Sequence, residues 1–508
     1  MISTRRSLTA AFGCALLLGA GVAGAQDAPS NPSEVYGARI QAAAVTVIPY
    51  SAVRKSTSTV DTLRYWNQIA IDASGFDHTP LQPGETRKFG EQLGPGRSAR
   101  AMAIVHIAIY DAVNAVTGGY QRYAKVEPAQ KPTSIDAAIL AAAHDTLVAL
   151  FPSQKSNFDQ LYAADLQQIL VKNAAQKSAG IALGQASAKA ILAMRANDKS
   201  PGADPKMADE WPTNPQPGHW RQDPIGLAPI ALGAHWGEVV PFVVLNAREF
   251  RTPAPPRMNS AAYTAAYNEV KSLGGDGVHT PTQRTPEQTH IGIFWAYDGT
   301  PSLCAPPRLY NQVTSEISKN ETSVMRLARL YALVNTAMAD AGIVSWESKF
   351  YWDFWRPVTG VREADVGTGP TGKGDGNPAT AGDPTFWPLG APSSNLRGPG
   401  FTPPFPSYPS GHATFGGALF QTLRNFYGTD KIAFTFVSDE FNGQTREGDG
   451  TVRPYLPRSF DNLSQAEEEN GQSRIYLGIH WAFDKTAGVT QGRKVANYVF
   501  THEFRPTN

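Results

Sequence analysis

Residues 323–357 read SVMRLARLYALVNTAMADAGIVSWESKFYWDFWRP and predict a long helix followed by an aromatic cluster. Apolar residues recur at helical spacing, and Ser323 precedes the first of them as a candidate N-cap. Lys349 stands near the end of this pattern, and Arg356 with Pro357 closes it. We interpret the aromatic residues between the two cations as core that fixes them, rather than as a stacking platform for a substrate.

Helical patterns dominate the rest of the chain as well. Strand-like alternation is rare, and Ser464 with Glu467 makes a capping-box pattern ahead of another conspicuous stretch. We therefore predict an all-α fold. The further helical stretches are RAMAIVHIAIYDAVNAV near residue 100, SIDAAILAAAHDTLVALF ended by Pro152, the Ala-rich residues 178–196, and NSAAYTAAYNEVKSL after 259.

Two Pro/Gly-rich regions interrupt the helices and suggest the domain organisation. The first, at about 200 to 258, predicts a long connector, so that residues 26–257 form an N-terminal helical region and residues 258–508 a C-terminal catalytic one. The second follows the first cationic motif. We interpret it as an ordered loop that lines an entrance rather than as a disordered linker, because it contains Phe386, Trp387, Leu389 and Phe401.

Residues 1–25 have the pattern of a signal peptide. Arg5 and Arg6 precede the apolar run AAFGCALLLGAGVAGA, and small residues before Gln26 predict cleavage after Ala25. The Arg pair leaves both twin-arginine and ordinary secretion open, and a retained anchor is the less favoured alternative because the run is short. We expect a secreted or periplasmic protein with no membrane span after the leader.

Composition excludes some classes of partner. The formal net charge is +1 and 42% of residues are hydrophobic, which suits a sizeable core and gives no indication of binding to nucleic acid or an anionic membrane. Of two cysteines, Cys14 leaves with the leader, so Cys304 remains alone and no intramolecular disulfide is expected. A buried inert thiol is the commoner state of such a residue.

Two more short motifs contain further candidate anion-binding and catalytic residues. PSGH, residues 409–412, places a glycine at the start of the helical run HATFGGALF, where backbone amides attract anions. SRIYLGIHWAFD, residues 473–484, adds Arg474, and on a helix His480 and Asp484 would lie about one turn apart. Two arginines and one lysine suit an oxygen-rich, multiply charged anion such as phosphate or vanadate.

The ordered set KxxxxxxRP, PSGH and SRxxxxxHxxxD resembles the signature shared by vanadium-dependent haloperoxidases and type 2 phosphatidic acid and nonspecific acid phosphatases. The flanking stretches are more similar to the fungal-type vanadium chloroperoxidases, and the resemblance covers roughly residues 285–488. It implies two four-helix bundles with the site in the C-terminal one. The stretches that carry it are FWAYDG, PPRLYNQ, DAGIVSWESKF, FWRPVTGVR, PPFPSYPSGHATFGGALFQ and SRIYLGIHWAFD.

The resemblance also implies a vanadate cofactor and a role for each matched residue. His480 would bind the metal, His412 would be the acid–base residue, and Lys349 would also polarise peroxide. Asp298 would buttress Arg474, and Asp484 would orient His480. The vanadate oxygens would be held by Lys349, Arg356, Ser410, Gly411 and Arg474.

The implied substrates are hydrogen peroxide and a halide, with small organic acceptors in addition. Trp346 and Phe405 match apolar positions beside the cofactor of the chloroperoxidases, so we expect chloride as well as bromide turnover, although both residues could equally be ordinary core aromatics. Since vanadate and phosphate need nearly the same donors, a secreted acid phosphatase with a phosphohistidine intermediate is the alternative. An anion-binding protein would not need both histidines.

Three other polar residues attract attention without joining the site. His106 and Asp111 lie in an apolar helical pattern and are not one turn apart, which favours a core histidine and a helix-face carboxylate. His290 lies eight residues before Asp298 and could approach the cavity, but we do not include it in the predicted site.

Overall fold

A computed structural model describes residues 31–43, 50, 58–129, 132–169 and 174–507; the predicted signal peptide lies outside these ranges. The α-helices in these ranges are α1 Ser33–Tyr36, α2 Thr59–Asp77, α3 Gly94–Thr117, α4 Ile135–Leu150, α5 Lys155–Gln168, α6 Ala174–Arg195, α7 Ala261–Leu273, α8 Pro286–Phe294, α9 Pro306–Ile317, α10 Val324–Trp352, α11 Pro357–Arg362, α12 Gly411–Tyr427, α13 Leu463–Tyr476 and α14 Ala482–His502. The strands are β1 Gln41–Ala42, β2 Leu396–Arg397, β3 Phe434–Phe436 and β4 Arg458–Phe460.

The N-terminal bundle consists of α2, α3, α4 and α6, with α5 beside α4. Helix α3 is buried over most of its surface because nearly every residue from Ser98 to Ala115 is small or apolar. Glycines let α6 approach α4 closely: a Cβ at Gly180 would lie 2.3 Å from the Ser134 carbonyl oxygen, and one at Gly184 would lie 2.3 Å from that of Ala138. Local sequence thus determines how tightly this bundle closes.

The C-terminal bundle consists of α10, α12, α13 and α14. Glycines again permit close packing, since a Cβ at Gly492 of α14 would lie 2.0 Å from the Thr414 carbonyl oxygen of α12. Ser323 caps α10 by accepting a hydrogen bond from the Arg326 amide at 3.3 Å, as predicted. The predicted all-α fold with two four-helix bundles is confirmed, with two small antiparallel sheets, β1–β2 and β3–β4, added to it.

Helices α3 and α10 pack against each other and join the two bundles. By length and composition α3 could cross a membrane, but 89% of its most apolar window is buried inside the protein, as expected for a core helix. In the described ranges one further candidate exists only as a pair, Ile135–Leu150 with Pro152–Gln168, and that pair is bent by 118°.

The two Pro/Gly-rich regions are ordered and packed. In the connector, the amides of Phe242, Val243 and Val244 donate to the buried Asp340 carboxylate of α10 at 2.6 to 2.8 Å. In the second region Phe386 and Phe401 are buried, which agrees with an ordered loop rather than a linker. The domain boundary at residue 257 stays a prediction.

One capping prediction was wrong. Helix α13 begins at Leu463, and its N-cap is Asn462, whose side chain accepts from the Gln465 amide at 2.9 Å. The Ser464 hydroxyl instead donates to Asp430 at 3.0 Å, because tertiary packing offers it a carboxylate that a local pattern does not reveal.

Candidate active site

A cavity with about 470 Å³ of empty space, part of it open to solvent, lies where the C-terminal bundle meets residues of the N-terminal half. Its wall combines one end of the bundle with α1, the start of α3 and the proline-rich loop before α12. The lining residues are Tyr36, Gly94, Pro95, Leu232, Asp298, Gly299, Ala305, Pro306, Trp346, Pro403, Pro404, Phe405, Gly411, His412, Phe415, Arg474 and His480.

Lys349 reaches the site from the last turns of α10 and is completely buried. Its ammonium donates to the carbonyl oxygens of Pro406, at 2.9 Å, Ser407, at 3.0 Å, and Pro409. Burial, followed by the charge of Arg356, lowers the pKa of Lys349 well below its usual value. An ammonium placed here therefore gains from a nearby anion.

Arg356 caps the short helix α11 and is 1% exposed. Its Nε donates to the Phe405 carbonyl at 2.9 Å, and one terminal nitrogen donates to Ile479 at 2.8 Å and contacts His480 Nε2 at 3.0 Å. The other terminal nitrogen is buried with no hydrogen-bond partner among the described residues. Burial lowers the pKa of Arg356 to about 9.

Arg474 on α13 is held from one side only. Its Nη2 donates to both oxygens of Asp298, at 2.6 and 2.8 Å, which places Asp298 in contact with Arg474 as the resemblance implied. Its Nε and Nη1 are buried without a partner in the part of the chain that the structure describes. These two nitrogens, which carry three N–H groups between them, are thus available to a ligand.

The PSGH turn forms the N-terminus of α12. Ser410 is the N-cap and its hydroxyl accepts from the Ala413 amide at 3.4 Å, while Gly411 is the first helical residue. A Cβ at Gly411 would lie 3.2 Å from the Trp346 ring, so glycine leaves the cavity side of this turn open. The positive end of the α12 dipole adds to the three cations.

His480 is oriented by Asp484, but in a way that the sequence did not predict. His480 precedes α14, whose N-cap is Trp481, so the pair does not share a helix. The Asp484 carboxylate reaches back from the first turn to accept from His480 Nδ1 at 2.8 Å and from the Ser407 hydroxyl at 2.5 Å. With the proton on Nδ1, the lone pair is on Nε2, which faces Arg356.

His412 lies one residue into α12 and its ring lines the same cavity. Its Nε2 is 2.5 Å from the Ala296 carbonyl oxygen, which can only accept, so this nitrogen carries the proton. Burial, followed by the charge of Arg474, lowers the pKa of His412 well below its usual value. The neutral ring therefore presents Nδ1 as its unprotonated nitrogen.

These residues fit a tetrahedral or trigonal bipyramidal oxyanion such as vanadate. Three buried guanidinium nitrogens of Arg356 and Arg474 have no partner among the described residues, and buried donors are otherwise almost always paired. Arginine donors, a helix N-terminus and an imidazole nitrogen are the donor set that such an ion requires. Of the described residues, no group of three or more His, Cys, Asp or Glu side chains could hold a metal ion by itself.

The two predicted halide-site residues lie side by side. Trp346 and Phe405 have ring centroids 4.9 Å apart, and the Lys349 ammonium lies 5.5 Å and 5.1 Å from the two centroids. The Trp346 indole donates to the Leu232 carbonyl at 3.0 Å, which fixes its orientation. All predicted site residues thus converge on one region of the C-terminal bundle.

The polar residues that were not included in the predicted site do not line the cavity. His106 and Asp111 are buried in α3, and His290 packs against Phe441 with its ring centroid 4.5 Å away. Cys304 is a free, buried thiol, as expected.

Sequence reasoning missed the contributions that reach the cavity from distant parts of the chain. Tyr36, Gly94, Pro95 and Leu232 line it, and Ser407 supports Asp484, although none carries a motif. For these residues the sequence gave one indication: Ser407 lies in a proline-rich stretch two residues before the PSGH motif.

Comparison with known proteins agrees with this geometry. A sequence model described as the VCPO second helical-bundle domain matches residues 329–508. The chain is 31% identical over 506 residues to the vanadium chloroperoxidase of Curvularia inaequalis, covering 83% of this chain and 79% of that protein.

Solved structures share the fold. A bacterial vanadium-dependent iodoperoxidase matches with a TM-score of 0.64 at 23% identity, covering 86% of this chain and 97% of that one. The holo form of a bacterial vanadium-dependent chloroperoxidase matches with a TM-score of 0.59 at 16% identity, covering 83% and 94%. At these identities the two structures support the architecture of both bundles.

Proposed function

This chain belongs to the vanadium chloroperoxidase family, and from that membership we propose its reaction: vanadate-dependent oxidation of a halide by hydrogen peroxide to hypohalous acid. The observation that carries the proposal is the set of buried guanidinium nitrogens of Arg356 and Arg474 that have no hydrogen-bond partner among the described residues and lie beside His480 Nε2. Such donors favour a multiply charged oxyanion, and the imidazole lone pair supplies a ligand for its metal.

Each residue of the site has a task in holding vanadate. We assign Lys349, Arg356 and Arg474 to its charged oxygens, and Ser410 with the Gly411 amide to hydrogen bonds at the α12 N-terminus. His480 Nε2 would bind the metal, while Asp484 keeps the proton on Nδ1 and so fixes the tautomer. Asp298 holds Arg474 in place. When bound, vanadate supplies a Lewis-acidic centre that activates peroxide without changing its own oxidation state.

His412 is the residue that moves protons. The Ala296 carbonyl holds Nε2–H, and the lowered pKa keeps the ring neutral, so Nδ1 can take a proton from hydrogen peroxide and later return it. Lys349, whose ammonium is buried beside these groups, would polarise the peroxide oxygen that the halide attacks.

The halide itself is bromide and, we propose, also chloride. Trp346 and Phe405 form an apolar wall within 5.5 Å of the Lys349 ammonium. A partly dehydrated halide can lie against such a wall while the Lys349 ammonium stabilises its negative charge. Chloride turnover that is missing at every acidic pH, in an enzyme with strong bromide turnover, would contradict this part of the proposal.

The reaction is tested with apo protein, hydrogen peroxide and bromide, by bromination of a phenolic dye with and without orthovanadate. Bromination that requires vanadate supports the proposal. Hydrolysis of a chromogenic phosphate ester that vanadate merely inhibits, with no bromination at any pH, would assign the site to a phosphatase instead. His412→Ala serves as the matched variant: bromination should collapse while most vanadate affinity remains, which also separates an enzyme from an anion-binding protein.

We further propose that the enzyme is exported, on the strength of the leader pattern in residues 1–25. Expression of the full chain in a bacterial host, followed by mass spectrometry of the protein recovered from the periplasm, tests this. A mature chain that begins at Gln26 is the expected result, and an uncleaved cytoplasmic chain would contradict it.

A further inference from the structure

The turn that follows α8 contacts the active site through two residues. The Ala296 carbonyl oxygen lies 2.5 Å from His412 Nε2 and accepts its proton. The Asp298 carboxylate accepts from Arg474 Nη2 at 2.6 and 2.8 Å. Tyr297 stands between these two acceptors in the sequence. The backbone conformation of Tyr297 therefore determines how the two acceptors are placed relative to each other.

Tyr297 has a backbone conformation that is unusual for its residue type. Its φ is +46°, in the left-handed region that residues with a Cβ rarely adopt. The residue is completely buried. A residue other than glycine keeps such a conformation only where the surrounding structure holds it there. The contacts of Tyr297 thus decide whether this turn keeps its shape.

These contacts come largely from a segment that carries no motif, at the 3₁₀ turn Asp439–Phe441. The Asp439 amide donates to the Tyr297 hydroxyl at 2.7 Å, and this hydroxyl donates to the Gln312 side-chain oxygen at 2.9 Å. The Tyr297 amide donates to the Glu440 carboxylate at 3.3 Å. Burial, followed by the charge of Asp439, raises the pKa of Tyr297 well above its usual value, so the hydroxyl keeps its proton.

Ser438 fixes the start of the same turn. Its hydroxyl is buried, donates to the carbonyl of Phe294 at 2.7 Å and accepts from the Glu440 amide at 3.2 Å. Phe294 is the last residue of α8, so residues 438–440 hold the turn at its beginning and at its centre. Among the described residues that line the cavity, none belongs to residues 438–440. This segment can therefore affect the site only through the turn.

We propose that Tyr297 is a positioning residue for the proton-transfer histidine and for an oxyanion-binding arginine at once. Its hydroxyl holds the left-handed turn, and the turn places one acceptor against His412 and the other against Arg474. Because a carbonyl oxygen can only accept, its position determines which nitrogen of the His412 ring carries the proton. The tasks of His412 and Arg474 rest on the proposed function, whereas the contacts of the turn do not.

Vanadate affinity is the first readout, measured by titration calorimetry of the apo protein without peroxide or halide. Tyr297→Phe keeps the ring and removes the hydroxyl. We expect vanadate to bind about two- to tenfold more weakly, because about the energy of one hydrogen bond can be transmitted to the site. Tyr110→Phe is the matched control: Tyr110 is a buried tyrosine whose hydroxyl donates to the Gln121 carbonyl at 2.6 Å, and its loss should leave the affinity unchanged. Wild-type affinity in Tyr297→Phe would overturn the proposal.

A double-variant cycle tests the route through Asp298. In the Asp298→Ala background the turn no longer contacts Arg474, so Tyr297→Phe should weaken vanadate binding by less than about twofold further. A general loss of fold would instead weaken binding by the same factor in both backgrounds, since independent changes add. Equal factors would therefore overturn the proposal.

The route through Ala296 has a spectroscopic readout that needs no vanadate. NMR of apo protein labelled at its histidine nitrogens reports which ring nitrogen is protonated, and the His412 signals are assigned by their loss in His412→Ala. We expect the proton on Nε2 in the wild type and in Tyr110→Phe. Tyr297→Phe should show an added population with the proton on Nδ1. An unchanged tautomer in Tyr297→Phe would overturn the proposal.

Ser438→Ala replaces Tyr297→Phe if that variant fails to fold. It removes the hydrogen bond to the Phe294 carbonyl and leaves the Tyr297 hydroxyl in place. Vanadate binding should again weaken in a manner that depends on Asp298, and wild-type affinity would overturn the proposal. None of these measurements involves turnover. A protein that shows the expected binding and tautomers but does not oxidise bromide would refute the proposed function and not the positioning role of Tyr297.

Discussion

Two regions of the C-terminal half bury arginines and treat them in opposite ways. Behind the cavity, Arg453 is 2% exposed and donates to Ser394, Glu440 and Glu447, with Nε 2.7 Å from the Glu447 carboxylate. Beside the cavity, Arg356 is 1% exposed; among the described residues it contacts no carboxylate, and one of its terminal nitrogens has no partner. Both arginines are equally buried, but Arg453 is paired with carboxylates, whereas Arg356 has a donor available for an anion.

The pKa values of the two arginines shift in opposite directions because their carboxylate partners differ. Burial lowers the pKa of Arg453, but Glu440 and Glu447 more than offset it, so the pKa rises. Burial lowers the pKa of Arg356 to about 9, because Asp484 is too weak a partner to compensate. The carboxylates buried beside Arg453 therefore need its charge, whereas Arg356 lowers the stability of the fold until a ligand binds.

The largest effect is expected from breaking the scaffold pair. Arg453→Leu leaves Glu440 buried without its cation, and the free energy of unfolding should fall by about 3–5 kcal/mol in guanidinium denaturation. The double variant Arg453→Leu/Glu440→Leu removes both charges and should recover a large part of the loss. A single-variant loss below about 1 kcal/mol would mean that water or another cation replaces Arg453, and the contrast would disappear.

Removing a site cation should change activity and stability in opposite senses. Arg356→Leu is expected to lower vanadate-dependent bromination by about 10²–10³-fold, as for loss of one preorganised donor to a transition state. The unfolding free energy of the apo protein should stay level or rise by about 1–2 kcal/mol, because a poorly compensated buried cation is removed at the expense of its hydrogen bonds to carbonyls. Destabilisation as large as that of Arg453→Leu would refute the distinction between the two regions.

The sequence predicted the site better than its surroundings, and the reason is distance along the chain. Lys349, Arg356, Ser410, Gly411, Arg474 and His480 stand in short motifs whose spacing is constrained by a helix or a turn, so local patterns reveal them. Arg453, by contrast, carries no motif. Its partner Glu440 also contacts Ser394, 46 residues away, and only the folded chain shows that the two meet.

The wrong predictions have the same origin. Ser464 looked like a helix cap, but Asp430 offered its hydroxyl a tertiary partner. His480 and Asp484 were expected on one helix, but α14 begins only at Ala482, and the two side chains meet across its N-terminus. The contact between His480 and Asp484 was predicted correctly, but the backbone conformation was not. A spacing of four residues is compatible both with one turn of a helix and with a carboxylate that caps a helix N-terminus.

Ligand binding should sharpen the contrast further. Orthovanadate at a hundredfold excess over its dissociation constant should raise the unfolding free energy by about 2.7 kcal/mol, because it binds only the folded state. The midpoint of thermal unfolding measured against vanadate concentration reports this. Arg453→Lys, which keeps the scaffold charge, should respond as the wild type does, whereas Arg474→Leu should lose most of the response. An equal response in both variants would show that vanadate binds elsewhere.

The last prediction concerns a buried group without a hydrogen-bond partner in the described ranges. His106 in α3 is 1% exposed, its ring lies 5.0 Å from that of Tyr331, and neither nitrogen has a hydrogen-bond partner among the described residues. Burial lowers the pKa of His106 to about 3. Below pH 6.5 the imidazole of His106 is therefore protonated in the unfolded chain but not in the folded chain. The free energy of unfolding consequently decreases as the pH falls from 6.5 toward 3.

His106→Phe should remove this contribution and leave the rest of the acid response unchanged. The wild type should lose about 1.4 kcal/mol per pH unit more than the variant below pH 6.5, and the two should have similar slopes above it. Guanidinium unfolding at several pH values between 7.5 and 4 measures the difference, with Tyr455→Phe as a control that keeps the wild-type slope. Parallel curves would mean that His106 is charged or hydrated in the folded state. In that case an unpartnered buried nitrogen would no longer be evidence for a missing ligand, and the reading of Arg356 and Arg474 would lose its main support.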